Sequence, residues 1–175
     1  MRIAAGSDMN AHLTTVVVDE LRRRGHTVEV FGALVETPAM WSKVGVEVAQ
    51  KVSNKEYDQA VLFCWTGTGI SIAANRVPGV RAALCHDAET ARGARRWNDA
   101  NVLVMSLRST SEFVALEILD AWFITAPSAE AEDVACLRYL EVGEGLLSRV
   151  YGNTAPNSGS EKDPGQLHAH AIAPG

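Results

Sequence analysis

The chain has 175 residues, enough for one domain with one substantial core, and its composition is that of an ordinary globular protein, with 47% hydrophobic and 21% charged residues. A formal net charge of −5 argues against broad binding to nucleic acid or to an anionic membrane, both of which need a basic face. Three widely spaced cysteines, Cys64, Cys85 and Cys136, form neither a Cys-x-x-Cys pair nor a disulfide framework, which is the usage of a reducing compartment.

The N-terminus meets Gly6 and Asp8 too early for a signal peptide, and no apolar run is long enough to span a bilayer, so the expected location is cytoplasmic. Residues 2–6 read as a first strand. Residues 11–24 read as a helix, with Leu13, Val16, Val17 and Leu21 at helical spacing and Gly25 as a stop. A second strand follows at 28–31, then a helix at 41–53 with Val44, Val48 and Val52 on one stripe. Residues 59–64 form a third strand, apolar enough to be central in a parallel sheet. A helix at 69–76, a strand at 80–85, a helix at 87–96 and a strand at 102–106 come next. Helices at 110–124 and 128–149 complete an α/β domain over 1–150.

Five strand–helix alternations imply a parallel sheet with helices on both faces, and such sheets bind ligands beyond the C-terminal ends of their strands. Asp8, Cys64 and the pair Cys85-His86 fall at such ends. Residues 151–175 are rich in Asn, Pro, Ser and Gly and read as a flexible C-terminal tail. The His168-x-His170 pair in it has no clustered ligand nearby and reads as two solvated histidines. No metal site and no cofactor is expected.

Phe63-Cys64-Trp65-Thr66-Gly67-Thr68-Gly69-Ile70-Ser71 carries the strongest chemical signal. A buried strand ends at Cys64, and a loop with two glycines turns into a helix. Glycines let successive N–H groups converge on one point, and a helix start adds partial positive charge. Such a loop can hold an oxyanion, an enediolate or a phosphate. It lacks the lysine of a nucleotide-phosphate loop and the third glycine of a dinucleotide fingerprint. Cys64 at its mouth reads either as a nucleophile or base activated by the helix start, or as a small buried residue.

The run Cys64-x-Thr66-Gly67-x-Gly69-x-x-Ile72-Ala73-Ala74-Asn75, followed by Gly79–Cys85, resembles the ribose-5-phosphate isomerase B and galactose-6-phosphate isomerase family. Gly6-x-Asp8, Arg95-x-x-Asn98-Asp99-x-Asn101, Arg108 and Asp120-Ala121-Trp122 extend the resemblance over roughly residues 1–125. It implies a Rossmann-like three-layer α/β/α sandwich with a five-stranded parallel sheet. It also implies a small carbohydrate substrate and a homodimer or tetramer with active sites shared between subunits.

By the same resemblance Cys64 is the base of an aldose–ketose isomerisation through a cis-enediol. Thr66 shuttles protons near the oxygens. The backbone from Gly67 through Thr68 and Gly69 to Ser71 stabilises the enediolate, Asp8 binds substrate hydroxyls, and Asn98 contacts the reacting end.

The sequence also departs from the family's pattern. Met9 and Trp97 stand where the family has histidines for phosphate binding and ring opening, and Trp65 replaces a glycine. Two phosphate-binding arginine positions fall on Ala131 and Ala135, among Glu130, Glu132 and Asp133. His12, His86 and Arg138 are candidates to supply the lost functions. Three functions fit this pattern: an isomerase for a sugar other than ribose 5-phosphate, a conventional sugar-phosphate isomerase with a rebuilt phosphate site, or a non-catalytic subunit.

Overall fold

The computed structural model describes residues 1–35 and 38–151, with side chains described to residue 141. The tail and its two histidines lie outside the described residues. Five strands, β1 (Arg2–Ser7), β2 (Thr27–Gly32), β3 (Gln59–Cys64), β4 (Ala82–Leu84) and β5 (Val102–Ser106), pair in the order β2-β1-β3-β5-β4. Every pairing is parallel. Among the described residues six helices connect or follow them: α1 (His12–Arg23), α2 (Trp41–Ser53), α3 (Thr68–Ala74), α4 (Ala88–Asn98), α5 (Glu112–Ile124) and α6 (Ala131–Tyr151).

The alternation of strand side chains divides the core in two. Ile3, Val61, Phe63, Leu103 and Met105 face α1, α4 and α5, where Val17, Leu21, Ala91, Ile118 and Leu119 pack against them. Ala4, Ala60, Leu62, Cys64, Val102 and Val104 face α2 and α3, against Val44, Val48, Val52, Ile70 and Ala74. Each such fully buried Leu, Ile or Phe contributes about 1.5–3 kcal/mol relative to leaving it in water. The result is the expected three-layer sandwich.

Trp122 belongs to this core. It is 1% exposed and donates its indole N–H to Gln59 Oε1 at 2.7 Å, which holds it inside the sandwich rather than on an outer helix face. Other apolar side chains of the last two helices differ in exposure. Phe123 stacks on His26, Leu137 is half-buried, and Tyr139 and Leu140 are exposed.

The fourth strand is three residues long rather than six, because the chain on either side is held by other partners. Asn101 brackets its entry, accepting from Arg81 N at 2.8 Å and donating to Gly79 O at 2.9 Å. Asn75 brackets the strand itself. Its amide accepts from Ala82 N and donates to Ala82 O, both at 2.8 Å, filling the place a neighbouring strand would take on the open edge. Among the described residues no helix is long and apolar enough to cross a membrane.

Candidate active site

The chain runs from β1 outward to β2, then returns past β1 to lay down β3 on its other side. The C-terminal ends of β1 and β3 therefore diverge, and the crevice between them is the place where open parallel sheets bind ligands. Ser7 pairs with Phe63, so Asp8 and Cys64 follow side by side at its mouth. The buried Ser7 hydroxyl donates to Met9 O at 2.6 Å and accepts from Met9 N at 3.2 Å. That turn fixes the Asp8 backbone. Asp8 Oδ1 is buried without a hydrogen-bond partner, and burial raises the carboxyl pKa above its ordinary value. Met9 beside it is 42% exposed.

Cys64 is 5% exposed and points to the α2–α3 side of the sheet. Its main chain is clamped by the end of β5. Leu107 N donates to Cys64 O at 3.0 Å, Arg108 N to Trp65 O at 2.9 Å, and the Ser106 hydroxyl to Trp65 O at 2.9 Å. The thiol thus sits on a rigid element rather than a loose loop. Cys85 is buried as well, but burial, helped by the nearby Asp87 charge, pushes its thiol up to about 12, which keeps it protonated and unreactive.

The loop then turns sharply. Gly67 lies at φ +78°, and a Cβ there would stand 2.4 Å from Leu84 Cδ1, so both conformation and space demand glycine. The Thr66 and Thr68 hydroxyls are 2.7 Å apart and hydrogen-bond across the turn. Ser71, half-buried on α3, is the first residue to close the helix, from its N–H to Gly67 O at 3.2 Å. The amides before it belong to the first turn, where a helix offers no acceptors of its own. α3 has only 7 residues, so any anion stabilisation here rests on these local amides more than on a long helix dipole.

Trp65 extends from the loop, 54% exposed. Trp41, at the start of α2, crosses Gly69, with ring atoms 3.1–3.4 Å from where a Cβ would be. Arg108 is exposed, immediately past β5, and makes no ion pair among the described residues. Sequence reasoning used Arg108 only as part of a resemblance, although its place just beyond a strand's C-terminal end could have marked it. His12 pairs with Glu112, and His86 lies 3.6 Å from Asp87; both imidazoles are largely exposed. Arg138 is exposed on α6.

Asp8, Met9 and the loop from Cys64 to Ser71 are thus brought together. Trp97 and Asn98 are not. They end α4, and Asn98 O accepts from Arg81 Nε at 3.0 Å just before β4 begins, which puts them at the opposite, N-terminal edge of the sheet. There they border a cavity of about 1320 Å³ formed by β4, α4 and the exposed start of α6, with Leu137, Tyr139 and Leu140 on its wall. Trp97 is 52% exposed. Within one chain, neither residue can reach Cys64.

A doubly wound α/β/α sandwich with a clamped thiol and a tight glycine loop at its topological switch point is a frame that binds small ligands beyond its strand ends. The chain belongs to the Ribose/Galactose Isomerase family, whose profile matches residues 3–135. It is 33% identical over 123 residues to ribose-5-P isomerase B of Listeria innocua, covering 70% of this chain and 83% of that one. It is 34% identical over 125 residues to D-erythrulose-4-phosphate isomerase of Pectobacterium atrosepticum, covering 70% and 82%. The solved structure of Clostridium thermocellum ribose-5-phosphate isomerase B superposes with a TM-score of 0.78 at 36% identity, over 85% of this chain and all of that one. The protein is accordingly an aldose–ketose isomerase of the sugar-phosphate isomerase class.

Proposed function

We propose that Cys64 is the base of this isomerase and that the substrate is a sugar or sugar phosphate other than ribose 5-phosphate. The observation that carries the reading is the buried, main-chain-clamped thiol at the β1–β3 crevice, beside an unpartnered Asp8 carboxylate oxygen and next to the Gly67 turn. The thiolate takes the proton from the carbon next to the carbonyl. The electron pair moves onto the carbonyl oxygen, where the loop amides hold the enediolate. Thr66 passes a proton between the two oxygens, and the Cys64 thiol returns its proton to the neighbouring carbon. Asp8 accepts hydrogen bonds from substrate hydroxyls, which supplies the partner its buried oxygen lacks.

The substrate reading follows from Trp97 and from the acidic start of α6. An indole neither donates nor accepts the protons that ring opening moves, and Ala131 and Ala135 offer no cation to a phosphate. A four-carbon sugar esterified at its terminal oxygen has no hydroxyl left to close a five-membered ring. It therefore needs no ring opening, and one relative is named for such a compound, D-erythrulose 4-phosphate. Arg108, unpaired beside Trp65, favours a second reading, a conventional sugar-phosphate isomerase with a rebuilt phosphate site.

The separation of Trp97 and Asn98 from Cys64 supports a homodimer or larger assembly in which a second copy brings those residues to the crevice. The exposed face of β4, α4 and α6 is the surface offered for that contact. Residues 1–150 are read as the isomerase domain and 151–175 as a dispensable tail.

The test is a panel of tetroses, pentoses and hexoses, free and phosphorylated, followed for carbonyl migration with wild type and Cys64→Ala. A kcat/KM for ribose 5-phosphate near the ordinary enzyme range of about 10⁴ M⁻¹s⁻¹ or above, with the other sugars inert, would favour the rebuilt-phosphate reading. Near-normal turnover by Cys64→Ala would remove Cys64 from the mechanism.

A further inference from the structure

We propose that Trp41 is the specificity-determining wall of the substrate crevice, an indole on which the carbon chain of a short sugar lies; the inference rests on the reading of the Cys64 loop as the reaction centre. Its starting point is how α2 meets α3. Gly45 lets the two helices touch, since a Cβ there would be 2.9 Å from Ala73 Cβ and 3.0 Å from Ile70 O. Trp41 lies one turn before Gly45, and Gly69 one turn before Ala73, so the same close approach brings the indole onto Gly69. Three ring atoms, Cδ2 and Cε3 at 3.1 Å and Cε2 at 3.4 Å, stand almost equally far from the missing Cβ. The ring therefore lies broadside across the first turn of α3, beside the Thr66–Thr68 turn.

This arrangement gives Gly69 a purpose that its motif does not announce. The glycine makes room for an aromatic ring, and any side chain there would push the ring away. The ring itself is not spent on the core. Val44, Val48 and Val52 of the same helix are buried, whereas Trp41 remains 45% exposed. Met9 and Trp65, beside Asp8 and in the loop after Cys64, add exposed apolar surface, at 42% and 54%. A sugar presents hydroxyls to Asp8 and the loop amides, and it presents C–H bonds on its other side. A rigid indole edging the loop is the complementary surface for those C–H bonds, and a fixed wall discriminates between chains of different length.

The experiment measures binding without turnover. Four-, five- and six-carbon alditols, free and as terminal phosphates, lack the carbonyl and cannot react. Their dissociation constants are determined by calorimetry for wild type, Trp41→Phe and Trp41→Ala, with thermal unfolding and sedimentation as controls. Trp41→Ala should weaken the best-binding alditol roughly tenfold, the scale of one lost aromatic contact, and flatten the preference among chain lengths. Trp41→Phe should retain most of both, and it is the variant to rely on if the alanine protein does not fold.

Unchanged affinities and unchanged ranking in a folded Trp41→Ala protein would overturn the proposal. So would failure of every alditol to bind wild type, or dissociation of an assembly by Trp41→Ala, which would make the indole a subunit contact. Because these ligands need no catalysis, the outcome is independent of Cys64. If the wall is found but no sugar is isomerised, the reaction reading fails and the wall stands.

Discussion

The two ends of the sheet use their polar residues differently. At the N-terminal edge most are joined to one another within the chain, although Arg95 Nε is buried without a partner among the described residues. The Arg81 guanidinium donates to Asn98 O at 3.0 Å, Asp99 O at 2.9 Å and Asp99 Oδ2 at 2.7 Å, and Arg95 donates to Asp99 Oδ1 at 3.3 Å and Ala100 O at 2.5 Å. Asp99 holds a left-handed backbone at φ +40° to make this possible. At the C-terminal edge, among the described residues, Asp8 keeps a buried oxygen without a partner, Arg108 makes no ion pair, and Trp41 and Trp65 remain half-exposed. Closed networks stabilise; groups left incomplete cost stability and wait for something from outside. The contrast favours the C-terminal end as the candidate binding end.

The largest expected effect is at Cys64. Cys64→Ala should lower turnover by roughly a thousandfold or more while costing only about 1 kcal/mol of stability, measured by steady-state kinetics and denaturant unfolding. Next is Arg108→Gln. It should weaken phosphorylated sugars by about 10–100-fold and leave unphosphorylated ones unchanged, as expected for a lost charge-assisted hydrogen bond; equal loss on both would deny Arg108 a role as anion anchor.

The opposite edge should respond the other way. Asp99→Ala should cost about 1–2 kcal/mol of folding stability, discounted because the side chains are partly exposed, by removing the acceptor shared by Arg81 and Arg95.

The smallest effect sharpens the comparison most. Burial raises the Asp8 pKa in the folded chain above 3.8, so its charged form penalises folding above the folded-state value and the penalty vanishes below pH 3.8. Asp8→Asn should therefore raise the melting temperature by about 1–2 °C at pH 7, with the gain disappearing toward pH 3, while activity falls. A loss of stability at pH 7 would mean that the carboxylate is paired after all.

Local periodicity made the layers legible. The third and fifth strands and the helix over 41–53 were expected with the bounds they have, because buried strands and a Val44–Val48–Val52 stripe leave an unambiguous pattern. The fourth strand was overestimated. Val80 and Cys85 are apolar for reasons of burial, whereas Asn75 and Asn101 decide where strand pairing stops. The burial of Trp122 has no local signature, because its indole partner, Gln59, lies 63 residues away in the chain. For the site, Asp8 and the 64–71 loop were readable since each follows a strand directly. The distance between Asn98 and Cys64, the free Arg108 and the indole over Gly69 depend on strand order and helix contact, and no local pattern encodes them.

The two hydrogen bonds between the Asn75 side-chain amide and the Ala82 backbone have a consequence for how this molecule can accumulate. An open parallel edge is a template: one chain can add its strand to it, then another, with no closure to end the series. Here the outermost strand is short, and its first rung is already taken by a side chain of the same molecule. Growth of the sheet into a filament is blocked at its first step. A second copy that approaches this side must meet side chains of α4 and α6 rather than backbone, and contacts of that kind can be self-complementary and so finite. One asparagine thus caps the backbone rung at which edge-to-edge growth would begin.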